Sequence, residues 1–440
     1  MKRAPAVLAL FMILSSCMPS LSPSIIPPPS ADQCVGTQGY AASFGGRRTF
    51  LWRPAWLNLI KAHDGAQALR DRIVARAEAS LVGAAPSVMD KTGTPPSGDK
   101  HDVLSWPMYW WSVGPKDPSG PEAYEARDGQ VNPERTSRRF DSSSFAEMRS
   151  RVVMLSLGAF LTGDRRYSRK AAELLDAWFV DPATAMNPNL DFSQAVPGKR
   201  APFAIDGIGL VQVIEAIGLL EASGDLAPAT QRGLETWFSR YVDWLTGPRS
   251  PQDRGAANNI ALSYDLQLVE AALFSGRIDV ARSVIQALPQ ERLMKQIAAD
   301  GSLPLEVVRA NGLTYSLFTL QMMFQLADLG ACVDVDLWSV PENGAGIRAA
   351  LDFLVPFIGH EDKWPYSQAK RSPEDIRALR QAFRRLLAQA AWIYHEPRYL
   401  ADAAALDADR SGADQVWWSG LMGLPELAPP DPSGANPSVD

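Results

Sequence analysis

Residues that could bind a carboxylate and transfer a proton occur in two short segments of the chain. In the first, RGAANNIALSYD (254–265), Asn258 and Asn259 precede a helical pattern. An Asn there commonly caps the helix, and two successive amides can also donate hydrogen bonds to a carboxylate. In the second, LPLEVVRANGLTYSLFTL (303–320), Arg309 lies six residues before Tyr315. A nearby guanidinium favours loss of a phenol's proton, which would make Tyr315 usable in acid–base chemistry.

A long loop over residues 100–134 combines aromatic rings with charged groups. Its candidate binding residues are Lys100, His101, Tyr109, Trp110, Trp111 and Arg127. Aromatic faces stack on sugar rings, and cations pair with carboxylates, so the composition suits an acidic polysaccharide. The same rings could instead pack the loop down over the helices.

The overall charge and the few His and Cys residues argue against nucleic-acid binding and against a metal site. Lys and Arg total 43 against 49 Asp and Glu, which gives a net charge of −6. Nucleic-acid binding is not expected, because there is no basic excess to offset phosphate charge. The 4 His and 3 Cys residues show no zinc-ligand spacing, so we predict no metal and no other cofactor.

The elements that position these residues are predicted to be helices. Apolar residues recur at spacings of three and four over 145–163, 207–224, 234–247, 259–276, 313–330 and 376–394. Three segments, 159–178, 272–288 and 392–408, predict antiparallel helical hairpins with tight turns. Such hairpins stack into an open solenoid or curl into a toroid, and the long loops at 84–143 and 181–206 favour the toroid. We therefore predict an all-α fold, an incomplete α/α toroid with loops over a central groove.

The N-terminus predicts export. Residues 1–17 have a basic start, an apolar run and Leu14-Ser15-Ser16-Cys17, which resembles a lipoprotein signal with Cys17 as the acylated residue; a plain cleaved signal is the alternative. Residues 18–50 are assigned to a Pro/Ser-rich tether and lead-in, 51–428 to the domain and 429–440 to a disordered tail. The expected location is the periplasm or cell envelope, with membrane attachment only through the lipid. Because that compartment is oxidising, Cys34 and Cys332 are candidates for a disulfide.

Several ordered blocks resemble the alginate lyase family of polysaccharide lyases. The similarity runs from about residue 101 to 368. It rests on YWW (109–111), RDGQVNPE (127–134), the stretch over 163–198, GLLEASG (218–224), NN (258–259), LPLE (303–306) with Arg309 and Tyr315, VDLW (335–338) and KWPY (363–366). The resemblance implies an α/α-toroid domain that cleaves a uronic-acid polymer by β-elimination. We expect a monomer that acts on an acidic polysaccharide.

The resemblance also implies roles for individual residues. Asn259 and Arg309 match the residues that neutralise the substrate carboxylate, and Tyr315 matches the acid/base. The family's His after the Asn pair is Ile260 here, a second family His is Thr314, and the Arg of an Ile-Asp-Thr-Arg segment is replaced in Ile205-Asp206-Gly207-Ile208. His101 and Tyr264 are the candidates to supply the missing function.

Two other functions remain open from the sequence. Loss of the His with retention of the aromatic loop would suit a glycan-binding envelope protein without catalytic activity. Hydrolysis in the same groove would need paired carboxylates, for which the candidates are Asp102, Asp128, Glu134 and Glu306.

Overall fold

The computed structural model describes residues 33–62, 64–115, 122–248, 252–340, 346–368 and 371–406. The helices are α1 (Pro54–Ala62), α2 (Gln67–Ala79), α3 (Ser142–Thr162), α4 (Arg165–Leu175), α5 (Gly209–Glu221), α6 (Pro228–Thr246), α7 (Asn259–Phe274), α8 (Ile278–Leu288), α9 (Met294–Gln296), α10 (Pro304–Val307), α11 (Gly312–Ala331), α12 (Ile347–Leu354), α13 (Pro373–Ile393) and α14 (Arg398–Ala405). Two strands, β1 (Trp110–Pro115) and β2 (Glu122–Ala126), form one antiparallel hairpin.

Five helices form an inner layer around a central cavity. Helix α3 packs on α5, α5 on α7, α7 on α11, and α11 on α13. These helices carry apolar residues on most of their circumference, because they are covered by both the cavity side and an outer helix. Helix α7 shows this most clearly, since all of its residues except Ile260 are buried. The helical ranges predicted from the apolar spacing are therefore confirmed.

The outer layer is formed by the second helix of each hairpin. Helices α4, α6, α8, α12 and α14 pack against the inner helices. The turn between α3 and α4 shows how the sequence sets this geometry. Gly163 ends α3 in the left-handed conformation at φ 74°, and the Asp164 carboxylate caps α4 by accepting a hydrogen bond from the Arg166 N–H. The predicted hairpins at 159–178, 272–288 and 392–408 are confirmed as far as residue 406, where the described part of the chain ends.

The loop over residues 100–134 contains the strand hairpin that the sequence reading missed. Trp110 and Trp111 lie on β1 and pair with Ala126 and Glu125 on β2. The Pro and Gly content of this loop argues against a buried strand, and the ribbon is not buried: its residues are half-buried or exposed, and its register shifts between Ser112 and Gly114. An exposed strand hairpin of this kind tolerates Pro and Gly better than a strand in the core does.

The first described residues belong to the core. Cys34 and Cys332 form a disulfide across 298 residues, which confirms the pairing considered from the sequence. Further along, the buried Glu215 carboxylate accepts hydrogen bonds from the backbone N–H groups of Phe50, Leu51 and Trp52 at 2.8, 3.1 and 2.6 Å. The disulfide and these bonds fasten residues 34–52 onto the ring.

Several predictions fall on residues outside the described ranges. These are the signal segment with Cys17, the tether over 18–32 and the chain after residue 406, including the predicted tail. Within the described residues, we find no helix with both the length and the apolar character needed to span a bilayer.

Candidate active site

Arg309 and Asp128 form a paired link between the loop after β2 and the turn before α11. The Arg309 guanidinium donates Nε–H to one Asp128 oxygen at 3.0 Å and Nη2–H to the other at 2.6 Å. The backbone N–H of Ala310 also donates to Asp128, at 2.9 Å. These three donors hold the pKa of Asp128 below its ordinary value, with the Arg309 hydrogen bond as the largest cause. Asp128 therefore remains a carboxylate and fixes the guanidinium plane.

Gly129 explains why the two loops can approach so closely. Its φ of +78° lies in the left-handed region, and a Cβ at this position would lie 2.8 Å from the Ala310 Cβ. Only glycine fits both requirements. The Asp-Gly pair at 128–129 therefore has two roles. The Asp128 carboxylate binds Arg309, and Gly129, which has no side chain, lets the two loops come close together.

Tyr315 lies on the first turn of α11, directly beside the Arg309 guanidinium. The guanidinium carbon is 3.9 Å from the centre of the Tyr315 ring, a cation–π contact. The phenol hydroxyls of Tyr315 and Tyr109 are hydrogen-bonded at 2.8 Å. Burial, together with Tyr109, raises the pKa of Tyr315, and Arg309 opposes that shift. The resting phenol is therefore protonated and has a neighbour that can accept its hydrogen bond.

Asn259 is held by a buried carboxylate, Glu306. The Asn259 side-chain amide donates to both Glu306 oxygens at 2.8 and 2.9 Å, and the Asn259 backbone N–H donates to one of them at 2.8 Å. Burial raises the pKa of Glu306, whereas Asn259 and the charge of Arg309 lower it. Glu306 therefore occupies the place at the N-terminus of α7 that the sequence reading gave to a substrate carboxylate.

The two positions at which the resemblance implied a family histidine, 260 and 314, carry no imidazole. Ile260 is half-buried on the first turn of α7, and its backbone N–H donates to the side chain of Asn258 at 3.4 Å. Asn258 thus acts as the helix cap. The Thr314 hydroxyl is buried without a hydrogen-bond partner. None of the three can move a proton between a base and a sugar.

A cavity of about 330 Å³ opens beside Tyr315. It lies between the loops and the inner helices, and Tyr315, Phe318, Asp206, Arg135 and Arg149 line it. Of the three residues assigned to catalysis from the sequence, only Tyr315 lines this cavity. Arg309 contacts the Tyr315 ring, and Asn259 is hydrogen-bonded to Glu306.

The floor of this cavity is a network centred on Asp206. Its carboxylate accepts hydrogen bonds from Ser105, Ser193 and Gln194 at 2.5, 3.2 and 2.5 Å. Arg135 reaches the same carboxylate at 3.8 Å. A cation from the chain segment after β2 therefore lies close to the Asp206 carboxylate.

The aromatic loop contributes both packing and exposed groups. Trp110 packs against a small apolar cluster formed by Trp106, Phe140 and Val196. Trp111 is half-buried; its indole N–H donates to the Gln130 carbonyl at 3.2 Å, and the Arg127 guanidinium lies 5.1 Å from its ring. The loop therefore uses Trp110 for packing and leaves Trp111 at the surface with a cation above it.

Three further candidates lie away from the Tyr315 cavity. Lys100 donates its ammonium to the Met89 carbonyl at 2.8 Å, and the His101 imidazole Nδ1 is 2.6 Å from the Ala185 carbonyl. Tyr264 is buried on α7 and donates its hydroxyl to the Leu245 carbonyl at 2.5 Å. None of them lines the cavity, so we place none of them in the proposed catalytic group. Among the described residues, no group of three His, Cys, Asp or Glu side chains could hold a metal ion.

Comparison with known proteins agrees with this arrangement. Residues 87–364 match the family model described as alginate lyase. The structure superimposes with a TM-score of 0.77 on a crystal structure of an alginate lyase from Bacteroides ovatus, which is 32% identical and matched over 86% of this chain and 100% of that one. The chain belongs to the alginate lyase family. As a family member it has the α/α-toroid fold, which confirms the predicted architecture.

More distant matches were also found. Alginate lyase A1-III from Sphingomonas species A1 is 16% identical, with a TM-score of 0.47 over 82% of this chain and 94% of that one. A variant of that enzyme, in complex with a tetrasaccharide, gives the same identity and TM-score over 80% and 94%. No curated protein matches the chain at a significant level.

Sequence reasoning overlooked the residues that hold the catalytic candidates. Asp128 and Glu306 were considered only as hydrolytic acids, yet they bind Arg309 and Asn259. Arg371 was not considered, although its charge interacts with Tyr109. A signal was available for Asp128, because an Asp-Gly pair in a loop predicts a turn whose carboxylate is free to bind a cation. No comparable signal marks Arg371, which approaches the site from a distant part of the chain.

Proposed function

We propose that this protein is an exported polysaccharide lyase that cleaves a uronic-acid-containing, alginate-like polysaccharide by β-elimination. The observation that carries the proposal is the contact of Arg309 with Tyr315 at 3.9 Å at the edge of a cavity, in a chain of the alginate lyase family. This pair brings a carboxylate-binding group and an acid/base group to one place.

The first requirement of the reaction is neutralisation of the uronate carboxylate. The proton at C5 is poorly acidic until that charge is compensated. Arg309 uses Nε and Nη2 on Asp128, and Nη1 has no acceptor among the described residues. We propose that Nη1 donates to the substrate carboxylate, while Asp128 fixes the orientation of the guanidinium. Asn259 stabilises this region through its hydrogen bonds to Glu306. Its side-chain amide can bind the substrate only when those hydrogen bonds are broken.

The second requirement is proton transfer at C5 and at the leaving oxygen. In the proposed step, the phenolate oxygen of Tyr315 takes the C5 proton and the C5 electron pair forms the C4–C5 double bond. The bond between C4 and its glycosidic oxygen then breaks, and the phenol returns its proton to that oxygen. The raised pKa makes the Tyr315 phenol a weaker acid and its phenolate a stronger base, so the phenol must first lose its proton to hydroxide from the solvent before it can act at C5. Tyr109 accepts a hydrogen bond from the Tyr315 hydroxyl at 2.8 Å and holds it in position.

Hydrolysis is less well supported by the arrangement of the carboxylates. Asp102 accepts hydrogen bonds from Ser97, Asn187 and Asn189, Asp128 is held by Arg309, and Glu306 is held by Asn259. The remaining candidate, Glu134, pairs with Arg139 at the surface. These contacts give no pair of free carboxyl groups facing each other across the cavity, which glycoside hydrolysis requires.

The test is product formation from defined polymers. Alginate, polyglucuronate and polygalacturonate are incubated with the protein, and the ultraviolet absorbance of the unsaturated uronate is followed over a range of pH. Tyr315→Phe should abolish the signal. The matched control is Tyr167→Phe, on outer helix α4, whose hydroxyl contacts Glu78, and it should retain activity. Absence of the signal with all three polymers at every pH would contradict the lyase proposal.

A glycan-binding protein without catalytic activity is the second candidate. It is favoured by Ile260 at the family's histidine position and by the donation of the Asn259 side-chain amide to both Glu306 oxygens. Binding of alginate without any unsaturated product, unchanged in Tyr315→Phe, would support it over the lyase.

The proposal of export rests on the signal-like N-terminus and is supported by the Cys34–Cys332 disulfide, because structural disulfides persist mainly in oxidising compartments. We propose the periplasm or cell envelope, with Cys17 as the lipid attachment site. Cell fractionation of the full chain and of Cys17→Ser tests this, since the serine variant should leave the membrane fraction.

A further inference from the structure

A second cavity continues from the Tyr315 site into the centre of the ring. It has a volume of about 220 Å³, and it shares Arg149, Ile208 and Phe318 with the cavity beside Tyr315. Helix α11 runs along both, because Tyr315 and Phe318 line the first and Gln321, Gln325 and Asp328 line the second. From Tyr315 to Gln325 the helix rises by about 15 Å, so the inner cavity is a distinct binding region.

Two guanidinium groups face this inner cavity without an ion-pair partner among the described residues. Arg149 on α3 and Arg385 on α13 both line it. Within the part of the chain that the structure describes, neither side chain forms an ion pair or a hydrogen bond, and the Arg149 Nε–H is buried without an acceptor. Burial lowers the pKa of Arg385 to about 10, so the group is still charged at neutral pH, and no acidic group opposes that shift.

The carboxylates that line the same cavity are already bound elsewhere. Glu215 accepts the three backbone N–H groups of residues 50–52. Asp328 accepts a hydrogen bond from Arg53 at 2.6 Å and another from Gln389 at 2.7 Å. The cavity therefore presents two half-buried guanidinium groups without an ion-pair partner, beside two acids that already accept hydrogen bonds from other groups. A charge withdrawn from water without a partner is unfavourable, and an anion that entered would offset that cost for both guanidinium groups.

We propose that the inner cavity is an anion subsite in which Arg149 and Arg385 bind the carboxylate of a uronic acid. A guanidinium fork matches the two oxygens of a carboxylate, which suits Arg better than Lys for this task. Gln321 and Gln325 lie one turn apart on the same wall, and neither side chain forms a hydrogen bond within the described residues. Their amides can donate to and accept from sugar hydroxyls. The biological substrate assigned to this subsite rests on the proposed function. The affinity of the subsite for a free uronate does not depend on it.

Binding of D-glucuronate to the complete protein tests the subsite without any need for catalysis. Calorimetric titration with glucuronate should show binding, and titration with glucose, which lacks the carboxylate, should not. Arg385→Gln and Arg149→Gln should each weaken the glucuronate affinity about tenfold or more, the size expected for loss of a hydrogen bond to a charged group. Arg232→Gln, an exposed arginine on outer helix α6, is the charge-matched control and should bind like the parent.

Thermal unfolding separates a binding role from a structural one. Because an uncompensated buried cation destabilises the empty protein, Arg385→Gln should unfold at the same or a higher temperature than the parent when no glucuronate is present. Arg309→Gln should lose lyase activity and keep glucuronate binding. The proposal is overturned if glucuronate does not bind, if Arg385→Gln binds it as tightly as the parent, or if that variant is clearly less stable. Glucuronate binding without cleavage of any polymer would retain the subsite and reject the lyase activity.

Discussion

Asp128 and Arg309 are 181 residues apart in the chain and form a two-point ion pair beside the Tyr315 ring. The pair leaves a single guanidinium nitrogen, Nη1, for a substrate. Its strength as an orienting device comes from the fork geometry, in which two parallel hydrogen bonds fix the plane of the group. The position of Nη1 is consequently determined by a residue that need not touch the sugar.

Asp128→Asn should therefore reduce kcat/KM by about tenfold or more, in the range seen when a residue that orients a site is lost. Arg309→Lys should have a larger effect, because an ammonium cannot form the fork. Asp352→Asn is the matched control, since Asp352 also accepts two hydrogen bonds from one arginine, Arg398, and is similarly exposed. Initial rates of unsaturated-product formation measure the effect. Equal rates for Asp128→Asn and the parent would show that Arg309 does not depend on this partner.

Tyr109→Phe tests whether the contact between the two phenols controls proton transfer. Burial is the largest cause of the raised pKa of Tyr315, and its hydrogen bond to Tyr109 adds to the shift, so removal of that hydrogen bond should lower the pKa part of the way toward its ordinary value. The fraction of Tyr315 that is ionised at a given alkaline pH then increases. We expect the rising alkaline limb of kcat/KM to move to lower pH.

Tyr124→Phe on the same strand hairpin is the control for this experiment, because its ring packs on Trp106 and is not part of the pair. A pH profile of Tyr109→Phe that coincides with the parent would show that the hydroxyl of Tyr109 does not influence Tyr315.

The fold was predictable because inner helices leave a strong pattern. Helix α7 is apolar nearly all round and is bounded by an Asn cap and a Gly-containing turn, so residues 259–276 indicated a buried helix without further information. The strand hairpin was not predictable by the same means, since β1 and β2 lie at the surface and lack a buried apolar face.

The catalytic candidates were located by resemblance, whereas their partners were not. Asn259 and Glu306 are 47 residues apart, and nothing in the local sequence indicates that one carboxylate binds both the side-chain amide and the backbone N–H of Asn259. The same holds for Arg149 and Arg385, which face one cavity from helices at opposite ends of the chain. Such pairings depend on how the ring closes, and sequence spacing carries no information about them.

Glu270→Gln should alter the pH dependence of stability. Glu270 is fully buried against Glu215, and this burial, with the charge of Glu215, raises the pKa of Glu270 well above 4.5. Its proton is therefore retained in the folded state and released in the unfolded state. The contribution to stability is complete below about pH 4.5 and falls as the pH rises toward the folded pKa, by up to about 1.4 kcal/mol per pH unit.

Gln cannot ionise, so the variant should be less sensitive to pH between about 5 and 8 than the parent, and at least as stable at pH 8. Urea unfolding across this range measures the effect, with the exposed Glu173→Gln as control. Parallel pH dependences for Glu270→Gln and the parent would contradict the assignment.

The Cys34–Cys332 disulfide should contribute about 2–5 kcal/mol to the free energy of unfolding, because it closes a loop of 298 residues. Cys34→Ser combined with Cys332→Ser should lower the unfolding midpoint in urea, and dithiothreitol should lower that of the parent to the same value. Dithiothreitol should leave the double variant unchanged. A midpoint of the parent that does not respond to reduction would show that the bond adds no stability.

Ile260→His tests whether an imidazole beside Asn259 adds to the proposed reaction. Ile260 is half-buried on the first turn of α7 and directly follows Asn259, whose backbone N–H donates to Glu306. A general acid or base commonly adds about 10²- to 10⁴-fold to a rate. We expect Ile260→His to increase kcat/KM by at least about tenfold, with a new dependence on pH near the ordinary pKa of histidine, about 6.5.

Ile260→Gln, which is polar and cannot transfer a proton, separates proton transfer from hydrogen bonding and should give a smaller gain without that dependence. If the histidine variant is no faster than the parent, Tyr315 and Arg309 act without help from an imidazole at position 260.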